Sequence, residues 1–207
     1  MDPRWRQLHD LAMRQHGHVA TRQVEQAGLT RPALHYQVRA GLLEAVARGV
    51  YRFTTFPPDE REHEAAVMLW AGIDRGVATA FSHETALRHY DLTDAFPAKL
   101  HLTVPRSFRR RPPSDVALHR AALGPGDVRS QGLLAYTAPA RTFLDLLAAG
   151  FAMAPLRDAY RDAIARGLVR KCALQVDGAT VRTYVDGLGS VDRADLLDSL
   201  ARFVERA

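Results

Sequence analysis

Arg31, His35, Tyr36 and Arg39 stand on adjoining turns of one short segment, RPALHYQVR. On a helix, residues three and four apart share a face. The segment therefore offers two guanidiniums, an imidazole and a phenol side by side. Guanidinium forks match the paired acceptors of a guanine edge or a phosphate, and the other two groups add single hydrogen bonds. Upstream, Thr21 and Arg22 place a hydroxyl and a cation at the start of a second helical segment, where amide donors hold anions. Arg48 in a turn and Arg52 on a strand extend the set toward the backbone or minor groove of a duplex.

These side chains need a scaffold, and the first 55 residues supply its pattern. Over 4–15, Trp5, Leu8, Leu11 and Ala12 recur at helical spacing, and Gly17 ends the segment. Thr21 is expected to cap a short helix closed by Gly28, and Thr30 a third, with Pro32 in its first turn. Leu34 and Val38 form the buried stripe of that third helix, which Gly41 stops. Leu43–Val46 and Val50–Thr54 have strand composition, with Ala47–Gly49 as a tight turn between them. Three helices followed by a hairpin is the order of a winged helix-turn-helix.

Charge agrees with this placement. Of 207 residues, 28 are basic and 23 acidic, but residues 1–55 hold eight arginines against four carboxylates, a net +4. Cationic charge concentrated on a small unit is the electrostatic footprint of a polyanion binder. Apolar residues at 47% and charged residues at 25% are ordinary globular composition. No run approaches the roughly 20 apolar residues of a membrane helix, and MDPRWRQLHD has no apolar leader core. With a single cysteine, Cys172, no internal disulfide is expected, and neither is a membrane. The expected compartment is the cytoplasm.

Phe56–Asp59 (FPPD) breaks the pattern and is read as a linker. The expected division is a winged helix-turn-helix domain at 1–56 and a mixed α/β domain at 60–207, an α+β chain overall. Helices are expected over 60–72, over His83–Tyr90 behind a Ser82 cap, around 140–149 behind a Thr137 cap, and over 154–166 and 192–205. Strands are expected at 99–104, 116–119 and 133–136. For 168–190, helix and hairpin both fit. The run Arg106, Arg109, Arg110, Arg111 lies between Pro105 and Pro112–Pro113, which favours a solvated loop over added phosphate contacts.

Enzyme signatures are absent. No HExxH, no GxSxG and no glycine-rich phosphate loop occurs, and His16 and His18 have no ligand-spaced partner. Ser82-His83-Glu84 reads as a helix start with its acid at the amide end. Gly189-Ser190 before Asp192 and Asp195 is similar to a nucleotidyltransferase motif, but those aspartates are expected on a helix rather than one residue apart on a strand. Asp91, Asp94 and Lys99 are poorly spaced for metal-dependent cleavage. The expectation is therefore no catalytic residue, no metal and no cofactor.

The stretch His16–Val24 (HGHVATRQV), with Gly28–Leu34, Val38–Leu43 and Arg48–Arg52 (RGVYR), resembles the N-terminal domain of AbiEi-family antitoxins of type IV toxin–antitoxin systems. Phe81–Leu87, Leu100–Pro105 and Thr137–Leu146 are similar to the second domain of that family and its relatives, so the resemblance spans roughly residues 10–150. It implies an autorepressor that binds inverted or direct repeats of double-stranded DNA in its own promoter. It also implies a partner, a nucleotidyltransferase-like toxin. The third helix departs from the family in carrying Pro32 and Tyr36 where cations are common. The alternatives are a protein-interaction module, or a stand-alone regulator without a toxin.

Overall fold

The computed structural model describes residues 2–170, 172–175, 179–186 and 190–205. Contacts divide the chain into two compact units, Met1–Thr79 with Ser130–Ala135, and Ala80–Arg129 with Tyr136–Ala207. The fold class is α+β, with an N-terminal winged helix-turn-helix.

In the first unit, α1 (Pro3–Met13) begins at Asp2, whose carboxylate accepts from the Arg4 amide at 2.9 Å. β1 (His18–Ala20) then leads directly into α2 (Thr21–Gln26). Thr21 is not the cap expected of it: Ala20 holds that position, and the Gln23 side chain accepts from the Ala20 amide at 2.9 Å. α3 (Arg31–Arg39) is capped as expected by Thr30, whose hydroxyl accepts from the Ala33 amide at 3.3 Å. β2 (Leu43–Ala47) and β3 (Val50–Phe53) form the hairpin, and the antiparallel sheet runs β1-β3-β2. Ala47 pairs with Val50, so the turn is Arg48-Gly49, with Gly49 at φ 77°. A two-residue hairpin turn needs a left-handed residue, which glycine supplies without strain.

The core of this unit joins all of these elements. Trp5, Leu8, Ala12, Val19, Val24, Leu29, Leu34, Leu43 and Phe53 are buried together, with Leu11 and Val38 packed at its edge. α4 (Glu62–Ala71) packs on β1, β2 and β3 and belongs to this first unit. The compact unit thus runs past the 56–60 boundary expected from FPPD, because α4 is apolar nearly all round and covers the sheet.

The second unit is built on β4 (Ala80–Phe81), α5 (His83–His89), β5 (Leu100–Val104) and β6 (Val116–Arg120). β7 (Val128–Gln131) and β8 (Leu134–Thr137) follow, and the sheet has the order β6-β5-β4-β8-β7; Ser130–Ala135, the end of β7 and the start of β8, are counted with the first unit. β4 and β7 escape a sequence reading, since two residues and the polar run VRSQ carry no alternation. α6 (Pro139–Ala148), α7 (Met153–Ala165), α8 (Ala179–Asp186) and α9 (Ser190–Val204) complete the unit. The first of these is contacted by the other three. Thr137 does not cap α6; its hydroxyl lies 2.7 Å from that of Thr142, and Ala138 precedes the helix. Within 168–190, α8 settles the alternative in favour of helix for its own span, while 171, 176–178 and 187–189 lie outside the described residues. Asp192 and Asp195 lie on α9, as expected of a helix start, and Gly189 lies outside the described residues.

His18 is buried on β1, with Nδ1 2.7 Å from the His16 carbonyl. Burial pushes its pKa below the ordinary 6.5; Arg52 adds to this, while Glu62 and the carbonyls of His16 and Gln15 oppose it. The folded state therefore keeps His18 neutral where the unfolded chain binds a proton. Its contribution to stability is complete above 6.5 and is lost as pH falls below that value. Thermal melts at pH 7.5 and 5.5 should show a larger loss for the native chain than for His18→Gln; equal losses contradict this.

Candidate nucleic-acid interface

α2, α3 and the hairpin carry the expected side chains, but the structure divides those side chains into two groups. Arg22, Arg39 and Arg48 are exposed and make no ion pair with any described residue. His35 and Tyr36 are exposed on α3, Tyr36 to 62%. These five keep their donors available. The buried Leu34 and half-buried Val38 anchor the opposite face of the helix.

The other three are engaged. Thr21 donates its hydroxyl to the Gly49 carbonyl at 3.2 Å, and its amide reaches the same oxygen at 2.9 Å. Rather than waiting for a phosphate, Thr21 ties the start of α2 to the hairpin turn. Arg31 is exposed, but Nε lies 2.8 Å from Glu25 Oε1, so its charge is partly neutralised. That pair is solvent-exposed and weak enough to exchange for a stronger anion.

Arg52 is engaged by three partners. Its side chain is only 12% exposed, pairs with Glu44 at 2.9 Å and donates to the Phe56 carbonyl at 2.8 Å. Nε also lies 3.1 Å from a Glu62 carboxylate oxygen on α4, a charge contact without hydrogen-bond alignment. Glu44 is the cross-strand partner of Arg52 in the β2–β3 register, and two carboxylates leave it no charge to offer a duplex. It is a staple between the hairpin and α4.

One further contact helps to hold the helix-turn-helix geometry. Arg4 donates to the Gly28 carbonyl at 2.9 Å, tying α1 to the turn between α2 and α3. Gly28 sits there at φ 76°. Gly41, at φ 74°, ends α3 and leads into β2. A recognition helix reads a groove only when its neighbours fix its angle to the backbone.

In the second unit, the Arg106–Arg111 segment lies outside regular structure between β5 and β6, and Arg109 donates to the Phe108 carbonyl at 3.2 Å. Three histidines that no sequence motif singles out come together here. His83, His101 and His119 each bring one ring nitrogen to within 4.8 Å of the others. No local spacing signals this, because the three come from a helix start and two strands.

The fold and this surface define a winged helix-turn-helix unit with an unpaired cationic face. Residues 6–54 match the model of the AbiEi_4 family, described as transcriptional regulator, AbiEi antitoxin. Among solved structures, the chain is similar to the crystal structure of the Rv2827c protein from Mycobacterium tuberculosis. The TM-score is 0.56 at 17% identity, over 97% of this chain and 78% of that one, a likeness that shows the fold. No curated protein matches the chain. Among the described residues, no helix is long and apolar enough to cross a membrane.

Arg52→Ala should lower the stability of the chain by about 2 kcal/mol, the scale of losing charged hydrogen bonds. Arg48→Ala should leave stability within about 0.5 kcal/mol of the native value. Urea melts followed by circular dichroism check both, and equal midpoints for the two variants refute this division of the arginines.

Proposed function

We propose that the protein is a DNA-binding transcriptional regulator of the AbiEi antitoxin type, repressing its own operon by inserting α3 into the major groove of promoter repeats. The observation that carries this reading is the unpaired cationic set Arg22, Arg39 and Arg48 around the exposed His35 and Tyr36. Arg39 and His35 face base edges, Arg22 takes phosphate at the start of α2, and Arg48 tracks the sugar–phosphate backbone from the hairpin turn. Arg31 joins them by leaving Glu25 for a phosphate or a guanine. The protein acts by occupying DNA and performs no chemistry, in the cytoplasm where its operator lies. The word antitoxin in that family description favours a toxin partner, which this reading takes to be nucleotidyltransferase-like.

A second reading rests on a specific feature of the same surface. Leu42 and Val46, like Tyr36, are exposed apolar side chains of the first unit, and such groups suit a protein partner. Coexpression pull-down with and without nuclease separates the two: capture that survives nuclease favours the protein partner.

Binding driven by phosphate neutralisation weakens steeply with salt, by about 0.9 log unit per contacted phosphate for each log unit of salt. Arg48→Ala should weaken all duplexes alike and lower the magnitude of that slope by about 1. Gel shifts on the chain's own upstream DNA across a salt series measure it, and absence of any shift at low salt defeats the reading. Arg39→Ala should cost about 1–3 kcal/mol and relax sequence preference. Arg31→Ala should cost less, because Glu25 already holds that guanidinium. Competition with scrambled duplex gives the comparison, and the reverse order overturns this assignment.

A further inference from the structure

β5 and β6 are parallel neighbours in which Thr103 pairs with His119 and His101 with Ala117. His101, Thr103 and His119 therefore share one face of the sheet. α5 packs on β5, and its first residue, His83, reaches the same place. His83 is buried, and His101 and His119 are half-buried.

The nitrogens are sorted by their partners. His83 Nδ1 lies 2.9 Å from the Ser82 hydroxyl, which also receives the Thr103 hydroxyl at 2.8 Å. This is why Ser82 precedes α5 without capping it. His101 Nε2 lies 3.3 Å from a Glu84 carboxylate oxygen. Those contacts leave Nε2 of His83 and Nδ1 of His101 facing the cluster. His101 Nδ1 is 3.0 Å from His119 Nε2. Two ligand nitrogens on a tetrahedral ion with bonds of about 2.0–2.1 Å stand about 3.3 Å apart, so this pair is already near ligand spacing. A hydroxyl or carboxylate on the far nitrogen is the device that orients a metal-bound imidazole.

We propose that His83, His101 and His119 form a three-imidazole site for a divalent transition ion of the zinc class, with Glu84 orienting His101 and Ser82 orienting His83. The fourth position falls to water. Imidazole nitrogens select such an ion over calcium or magnesium, which require oxygen ligands. His83 and His119 are stacked at 3.6 Å, so joint ligation requires the half-buried His119 ring to turn out of the stack. Left-handed backbone at His83, φ 52°, is an uncommon conformation for a residue with a side chain, and it directs this ring into the cluster.

The test uses the full chain, stripped with a chelator, dialysed and titrated with zinc chloride by calorimetry, with cobalt(II) absorption as a second readout. The expected result is one ion per chain and a four- or five-coordinate cobalt spectrum without thiolate bands. His101→Ala and His119→Ala should each abolish saturation over the range in which the native chain saturates, while Glu84→Gln weakens binding by about 10–100-fold. His16→Ala, whose ring pairs with Asp59 in the first unit, should bind as the native chain does. Circular dichroism establishes that each variant is folded, and Glu84→Gln carries the test if a histidine variant is not. No saturable binding by the folded native chain, or binding equal in the folded variants, overturns the proposal.

Discussion

The ion pairs of Arg52 govern which charges of the first unit face outward. Glu44 lies on the hairpin beside the arginines that would otherwise address a duplex, and Glu62 lies on the helix packed against that hairpin. An unpaired carboxylate at either place would repel phosphate. Arg52 occupies both, from a position sheltered enough that screening by salt is reduced. Arg22, Arg39 and Arg48 are then left without an internal anion. The same staple fixes the hairpin on α4, and the hairpin fixes α2 through Thr21 and the Gly49 carbonyl. The paired arginine and the unpaired ones are thus two parts of one electrostatic arrangement.

The second unit uses buried polar groups differently. Arg141, at 4% exposure, pairs with Asp145 at 2.9 Å and Asp127 at 2.6 Å, and Tyr184 donates to Asp145 at 3.0 Å. Burial and the adjacent Asp145 push the Tyr184 phenol well above its ordinary range, so it remains a donor. This network joins α6, α8 and the segment before β7, and removing Arg141 leaves the buried Asp145 without a countercharge, at a cost of about 3–5 kcal/mol. The histidine cluster has no such internal countercharge beyond Glu84. One network is built on charged pairs, and the other on imidazoles beside a single carboxylate.

Residue patterns carry the first unit well and the second unevenly, for physical reasons. Trp5, Leu8 and Ala12 reveal α1, and Thr30 and Pro32 fix the start of α3, because local chemistry and helical period agree there. Arg52 has the residue type of a DNA ligand, but its neutralisation depends on a cross-strand partner and on a helix that lies beyond the FPPD break. Ser82 and Thr137 have the residue type of caps, yet their hydroxyls serve tertiary bonds, to Thr103 and Thr142. His101 and His119 meet only because β5 and β6 run parallel in a particular register, which no local spacing encodes. His16 and His18, the visible histidine pair, are held apart in role: one salt-bridged to Asp59, the other buried on β1.

The most direct measurement of the central claim is amide chemical-shift mapping of the isotope-labelled chain on adding a duplex from its own upstream region. The account predicts perturbations concentrated at Thr21–Arg22, along Arg31–Arg39 and at Arg48–Gly49, with Arg52 little changed. Perturbations confined to the Arg106–Arg111 loop, or none at saturating duplex, contradict it.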